Sequence, residues 1–258
     1  MSGLAASPLG ALIGVLMGAF GGGGSLLAVP LLVYVVGQDV REAQATSLVI
    51  VIVASIIALA AYARGDQVRR RAGATFGLAA GLSALAGSAL SQGLNPDVLL
   101  LAFTPLMLAG AYAMVSDSAR RPSQFQPWRL GIKRASVIRV VGYGLLVGWV
   151  IGLFGVGGGF VIVPVLVLGL RFSITEAIAT SLLVIVIGSS FALVERIASG
   201  DVDWAIAIPL SVAAGFGAIA GRSLAGRVDS EGLRRAFAGL IVVAAAYTAI
   251  RSGAALAG

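Results

Sequence analysis

The 258-residue chain is 59% hydrophobic and only 11% charged, with a mean hydropathy of +1.01, which excludes an ordinary soluble domain and makes it an integral membrane protein. Its net charge of +7 does not signal nucleic acid, because the arginines gather in short loops beside apolar runs and the aromatics sit inside those runs. Cysteine and histidine are absent, which removes disulfides, thiol chemistry and most zinc sites, so neither a metalloenzyme nor any cofactor is expected.

In chain order, the first apolar segment runs over residues 7–36 and is broken by the glycine-rich stretch GVLMGAFGGGGSLLAVPLL at 14–32. No Lys or Arg occurs in the first twenty residues, so the N-terminus reads as mature protein rather than a secretory signal. Three uninterrupted runs follow at 43–63, 72–91 and 97–115, then a polar stretch with Pro122 and Pro127. A second glycine-broken segment covers 138–169, with GWVIGLFGVGGGFVIVPVL at 148–166, before further runs at 176–194, 204–221 and 232–250. Runs of this length without polar alternation predict helices rather than barrel strands of about 10 residues.

The two glycine motifs align at an offset of 134 positions, pairing Gly14 with Gly148, Gly18 with Gly152, Phe20 with Phe154, Gly21 with Gly155, Gly24 with Gly158 and Pro30 with Pro164. The same offset pairs Glu42, Ala45, Thr46, Ser47 and Leu48 with Glu176, Ala179, Thr180, Ser181 and Leu182, and Gly81 and Gly87 with Gly215 and Gly221. The chain reads as a duplicated unit: a first transmembrane repeat at 1–116, a cytoplasmic linker at 117–136 and a second transmembrane repeat at 137–258. The expected fold is therefore an all-α polytopic membrane protein, each repeat combining a glycine-broken helix or re-entrant hairpin with three transmembrane helices.

Loop charge bears on how the repeats are oriented. Arg64, Asp66, Arg69, Arg70 and Arg71 sum to +3, whereas the equivalent second-repeat loop, with Glu195, Arg196, Asp201 and Asp203, sums to −2. The linker region up to Arg139 carries +5, and Arg222, Arg227, Asp229, Glu231, Arg234 and Arg235 sum to +2. A straight helix of thirty residues would be about 45 Å long against a hydrocarbon core of about 30 Å. If each broken segment is instead a hairpin, each repeat has an odd number of crossings, the repeats are inverted, and all three basic regions face the cytoplasm. Eight full spans with a cytoplasmic N-terminus form the alternative, in which the −2 loop lies inside and the +2 loop outside.

The chemistry-bearing candidates are Gly21, Gly22, Gly23, Gly24 and Ser25 in the first motif and Gly155, Gly157, Gly158 and Gly159 in the second. Broken helices at matching places in inverted repeats point to a transporter site, where half-helix N-termini starting near Ser25 and Phe160 would offer backbone N–H groups to an anion. Gly14, Gly18, Gly148 and Gly152 fit the small-xxx-small pattern of helix packing instead. Thr46, Ser47, Thr180 and Ser181 are duplicated hydroxyls near the start of a span, open to both a ligand and a structural role. Glu42 and Glu176 sit where a carboxylate would cap a helix. Neither glycine run completes a nucleotide motif, since GGGGSLL lacks the lysine of a P-loop and GVGGGF lacks the third dinucleotide glycine. No charged residue lies clearly at mid-span, so a proton relay has little to use. An anion is already driven out of a negative cell interior by about 2.3 kcal/mol per charge per 100 mV, and neutral donors would suffice for its export.

The elements FGGGGSLLAVPLL and FGVGGGFVIVPVL, together with ATSL at 45–48 and 179–182, resemble the TauE/SafE sulfite exporter family over nearly the whole chain. That resemblance implies a multi-pass permease of the bacterial inner membrane for sulfite, an organosulfonate or a related sulfur anion. It also implies Gly21 to Ser25, Gly155 to Gly159, Thr46, Ser47, Thr180 and Ser181 as substrate contacts. Ser25 stands opposite Gly159 and Gly22 opposite Val156, so the half-sites are expected to be inequivalent. The expected partners are a small anionic substrate and the lipid bilayer, with no nucleic acid. A passive anion channel or a permease for a small carboxylate-type anion is the competing reading. An intramembrane enzyme is disfavoured, because no buried acid, base and thiol set is evident.

Overall fold

The computed structural model describes residues 6–63, 67–91, 104–105, 108–112, 114–116, 134–154, 159–198 and 202–257. Among the described residues the chain is helical without a strand. The first broken segment comprises α1 (Ser7–Phe20), a 3-10 turn (Gly21–Gly24) and α2 (Ser25–Leu31), which runs on into a π-turn (Leu32–Val36). Then come α3 (Val40–Ala63) and α4 (Arg70–Ser91). The second half contains α5 (Arg134–Phe154), α6 (Gly159–Pro164) with its π-turn (Val165–Gly169), α7 (Ile174–Ala198), α8 (Trp204–Ala225) and α9 (Ser230–Ala257). The predicted run at 97–115 lies largely outside the described residues, and residues 155–158 of the second glycine motif lie wholly outside them. Four stretches are long and apolar enough to cross a membrane, at Ser7–Gly24, Arg41–Ala63, Ile174–Val194 and Trp204–Ala225.

Local chemistry accounts for the helix limits. Pro8 sits in the first turn of α1, where a missing N–H costs nothing. Pro30 and Pro164 stand at the ends of α2 and α6, and the loss of a ladder hydrogen bond at each is followed directly by a π-turn. Gly37, at φ 87°, ends the first of these in a left-handed conformation open to glycine at little cost. Ser173 and Glu176 form a reciprocal cap at the start of α7: Ser173 N–H donates to Glu176 Oε2 at 3.1 Å and Glu176 N–H to Ser173 Oγ at 3.2 Å. Asp203 caps α8 by accepting from Ala205 N at 3.0 Å and Ile206 N at 3.3 Å.

Within a bilayer, apolar burial does not favour protein over lipid, so helix association rests on close packing and interhelical hydrogen bonds. The most extensive packing joins α1 to α8 and α4 to α5. Gly10, Gly14 and Gly18, spaced one turn apart, lie against the backbones of Leu210, Ala214 and Ala218. Gly144, Gly148 and Gly152 lie in the same way against Phe76, Ala80 and Ala84. At Gly10 a Cβ would come within 2.9 Å of Leu210 Cα, and at Gly144 within 2.9 Å of the Phe76 carbonyl oxygen, so both seams admit glycine alone. Every residue of one seam is displaced from its counterpart in the other by the 134-residue offset, and both seams are parallel helix pairs. On the outside, Leu82, Ile138, Val194, Phe216, Val243 and Ile250 are exposed and form part of an apolar belt suited to acyl chains.

Candidate functional site

The glycine turn reverses the chain. Gly24 comes back against α1, where a Cβ would stand 2.9 Å from the carbonyl carbon of Leu16 and would overlap Met17. An unbroken helix would carry Gly24 two turns past Met17, about 10 Å along the axis. The reversal begins at Gly21, which has φ 59°, a conformation that strains any residue with a Cβ. The half-helix α2 begins at Ser25, as the sequence suggests, and the 3-10 turn before it already brings Gly24 to helical backbone angles, with Ser25 N–H donating to the Gly22 carbonyl. Gly21, Gly22, Gly23, Gly24 and Ser25 are all buried.

Three elements converge on this turn. Gly22 N–H donates to Ser181 Oγ of α7 at 3.3 Å, while Ser181 Oγ in turn donates to the Ile178 carbonyl at 2.8 Å. Ser25 Oγ donates to the Gly22 carbonyl at 2.7 Å. Gly159, the first residue of α6, lies so close to Gly22 that a Cβ on Gly159 would be 2.6 Å from Gly22 Cα and 2.8 Å from Ser25 Oγ. The two glycine motifs thus meet backbone to backbone. Of the remaining candidates, Gly155, Gly157 and Gly158 lie outside the described residues.

Thr46, Thr180 and Ser47 are placed differently. Thr180 Oγ1 accepts the Arg69 N–H at 3.1 Å, and Thr46 Oγ1 accepts the Asp203 N–H at 3.3 Å. These two bonds are again related by the 134-residue offset, and each ties the start of a helix in one half to a hydroxyl in the other. Both threonines are fully buried, so each bond also satisfies a polar group that would otherwise be costly. Ser47 Oγ donates to the Gln44 carbonyl at 2.8 Å, the local bond common for membrane serines. Around the threonines lie two polar clusters. In one, Arg69 pairs with Glu176, both partly exposed. In the other, Gln38 Nε2 reaches Thr46 Oγ1 at 3.5 Å and Asp203 Oδ2 at 3.4 Å. Glu42 is exposed on the first turn of α3.

A further cluster escapes the sequence reading. Tyr62 of α3 donates its hydroxyl to the Gly18 carbonyl at 2.9 Å, near the C-terminal end of α1. The Arg222 guanidinium lies over the Tyr62 ring, 4.4 Å from its centroid, and Arg222 Nη2 reaches Gln67 Oε1 at 3.5 Å. Read as a sequence, Arg222 is one more loop charge beyond a span ending at residue 221, but α8 continues to Ala225 and carries it inward. Among the described residues no group of three or more acidic, His or Cys side chains is arranged to hold a metal.

The family model for sulfite exporter TauE/SafE matches residues 6–248. The chain belongs to the TauE/SafE family. Among similar proteins, a "Probable membrane transporter protein" of Xylella fastidiosa (strain Temecula1) is 36% identical over 256 residues, covering 96% of this chain and 95% of that one. The "Probable membrane transporter protein YunE" of Bacillus subtilis is 27% identical over 250 residues, covering 89% of this chain and 88% of its own length. No solved structure matches the chain. A TauE/SafE membrane transporter is thus the setting in which the paired turn has to be understood.

Proposed function

We propose that this chain exports a small sulfur oxyanion, sulfite or an organosulfonate, across the bacterial inner membrane by alternating access between two inverted repeats. The contact of Gly22 with Gly159 carries the reading, because it sets the start of α6 against the first glycine turn, within a stretch long and apolar enough to cross a membrane. Broken backbone there is tolerated only where protein or a water-filled cavity receives it. The donors that would turn to an anion are neutral, namely turn N–H groups and the Ser25 and Ser181 hydroxyls, whose protons go to the Gly22 and Ile178 carbonyls in this state and would be redirected on binding. They suit an anion that must be released as well as bound.

Three contacts between the halves support the inverted arrangement. Arg69 pairs with Glu176, Arg222 with Gln67, and Gln38 with Asp203, and in this reading the two loops of each contact share one face of the membrane. With the 97–115 run counted as one crossing, each pair is separated by an even number of crossings only if the 138–169 segment enters and leaves on one side. The first motif reverses in the same sense, as Gly24 against Met17 requires. Each half then contributes three crossings, an odd number, and the second half is inverted. The positive-inside bias puts Gln67, Arg69 and Arg222 at the cytoplasmic face and Gln38 and Asp203 outside.

Proteoliposomes holding the purified protein test both parts. Sulfite efflux should depend on the protein and saturate with substrate; large, non-saturating currents would mean a pore instead. Single cysteines at Gln67 and Asp201, introduced into a chain without native cysteine, should react with impermeant maleimide from opposite sides in intact cells. Labelling of both from the same side would overturn the inversion.

A further inference from the structure

Three groups lie outside the site already described: the buried hydroxyls of Ser55 and Ser211, the two polar clusters around Thr46 and Thr180, and the cation at Arg222. Ser55 and Ser211 have no hydrogen-bond partner, but no converging group shows what they would hold. The threonine clusters are already bonded between helices. Arg222 differs from both.

We propose that Arg222 recruits the anion and selects for its charge on the cytoplasmic approach to the glycine turn, an inference that rests on the transport reading above. Position is the first argument. A Cβ on Gly18 would lie 2.8 Å from Arg222 N, and the Gly18 carbonyl holds the Tyr62 hydroxyl under the guanidinium. Gly21, where the chain reverses, follows within one helical turn of Gly18. Charge is the second. Among the described residues Arg69 is committed to the carboxylate of Glu176 and Arg235 to that of Glu231. Arg222 has no such partner there: its contacts are an aromatic face and a neutral amide at 3.5 Å, and its Nε is buried without a hydrogen bond.

Among the described residues no carboxylate therefore cancels its positive charge, and its planar fork of N–H donors matches two oxygens of a sulfur oxyanion. Cation–π stacking holds the guanidinium in place without consuming those in-plane donors. A purely structural Arg222, acting on the α8 dipole and the Tyr62 ring, would affect folding but not the balance between a divalent and a monovalent anion. The recruiting role predicts a preference for sulfite over a monovalent sulfonate such as isethionate.

Sulfite and isethionate uptake into proteoliposomes separates these roles. Arg222→Gln should raise the KM for sulfite by about 10-fold with kcat changed by less than about 2-fold, the loss expected for one charge-assisted contact. It should raise the isethionate KM less, and Arg222→Lys should recover part of the loss. The wild-type KM should also rise with ionic strength more steeply than that of Arg222→Gln. An unchanged sulfite KM, or a fall in kcat alone, would overturn the proposal. Should Arg222→Gln not purify as monodisperse protein, Gln67→Glu serves instead, since a carboxylate beside the guanidinium must raise the sulfite KM if the free charge matters. Thermal unfolding of the detergent-purified protein in sulfite supplies a readout that needs no flux. Stabilisation present in wild type and lost in Arg222→Gln upholds the anion contact even if flux is absent. Normal flux with identical KM values rejects the Arg222 role and leaves the transporter reading intact.

Discussion

Gly22→Ala should abolish sulfite flux while its neighbour Gly23→Ala retains a measurable rate. A methyl group at Gly22 would overlap the carbonyl of Gly159, which is backbone and cannot rotate aside. At Gly23 the same methyl would meet Phe237 Cε2 at 2.9 Å and Leu240 Cδ2 at 3.2 Å, outer atoms of side chains that can shift by a few tenths of an ångström, with Phe20 Cβ at 3.2 Å as the one contact held by the backbone. Both positions are buried and both lie in the same 3-10 turn, so helix propensity does not distinguish them. Only the Gly22 variant must pry the two motifs apart. Initial rates of sulfite efflux from proteoliposomes, normalised to monodisperse protein recovered, give the comparison. Equal rates would mean that the contact between the motifs is not where transport is controlled.

The second large effect concerns stability. Gly14→Leu and Gly148→Leu should each lower stability by about 3 kcal/mol, the upper range for forcing extra side-chain volume into a packed interface. A Cβ at Gly14 would overlap the Ala214 carbonyl, and one at Gly148 the Ala80 carbonyl, so neither seam can yield without separating two helices. Gly188→Ala provides the contrast: nothing beyond its own turns of helix lies within 4 Å of its Cβ position, and alanine there should be neutral or stabilising by up to about 1 kcal/mol. Thermal unfolding in detergent, followed by the loss of monodisperse protein in size-exclusion chromatography, measures all three. If Gly14→Leu were severe and Gly148→Leu mild, the two seams would not be equivalent supports.

Much of the helical layout follows from hydropathy, since a bilayer-length apolar run has few conformations available to it other than a helix. Helix ends follow less well. α7 continues to Ala198 through Glu195 and Arg196, and α9 reaches Ala257, because charges mark where the membrane ends rather than where a helix must stop. The π-turns after Pro30 and Pro164 have no signal beyond the prolines themselves.

In the candidate site, spacing was enough to single out Gly21 to Ser25 and to match Ser181 with Ser47. Partners more than a hundred residues away were not legible. The repeated ATSL element was recognisable, but nothing local indicates that Thr46 and Thr180 would bond the first residues of another half's helix. Arg222 was hidden for a different reason: a charge three residues before a helix end reads as loop until the helix is seen to carry it against Tyr62.

The seam between α1 and α8 also imposes an order of events at the ribosome. Gly10 packs on Leu210, so at about 5–20 residues per second the first helix emerges some 10–40 s before its partner exists. Through most of that interval the Gly22 N–H lacks Ser181, and the turn lacks Gly159. A chain with an unmet backbone turn is poorly suited to bare lipid, so the first hairpin must wait in a wet or chaperoned setting and settle late. Truncations that end before Leu210 should therefore leave it accessible to protease, although every residue of the hairpin has already been made.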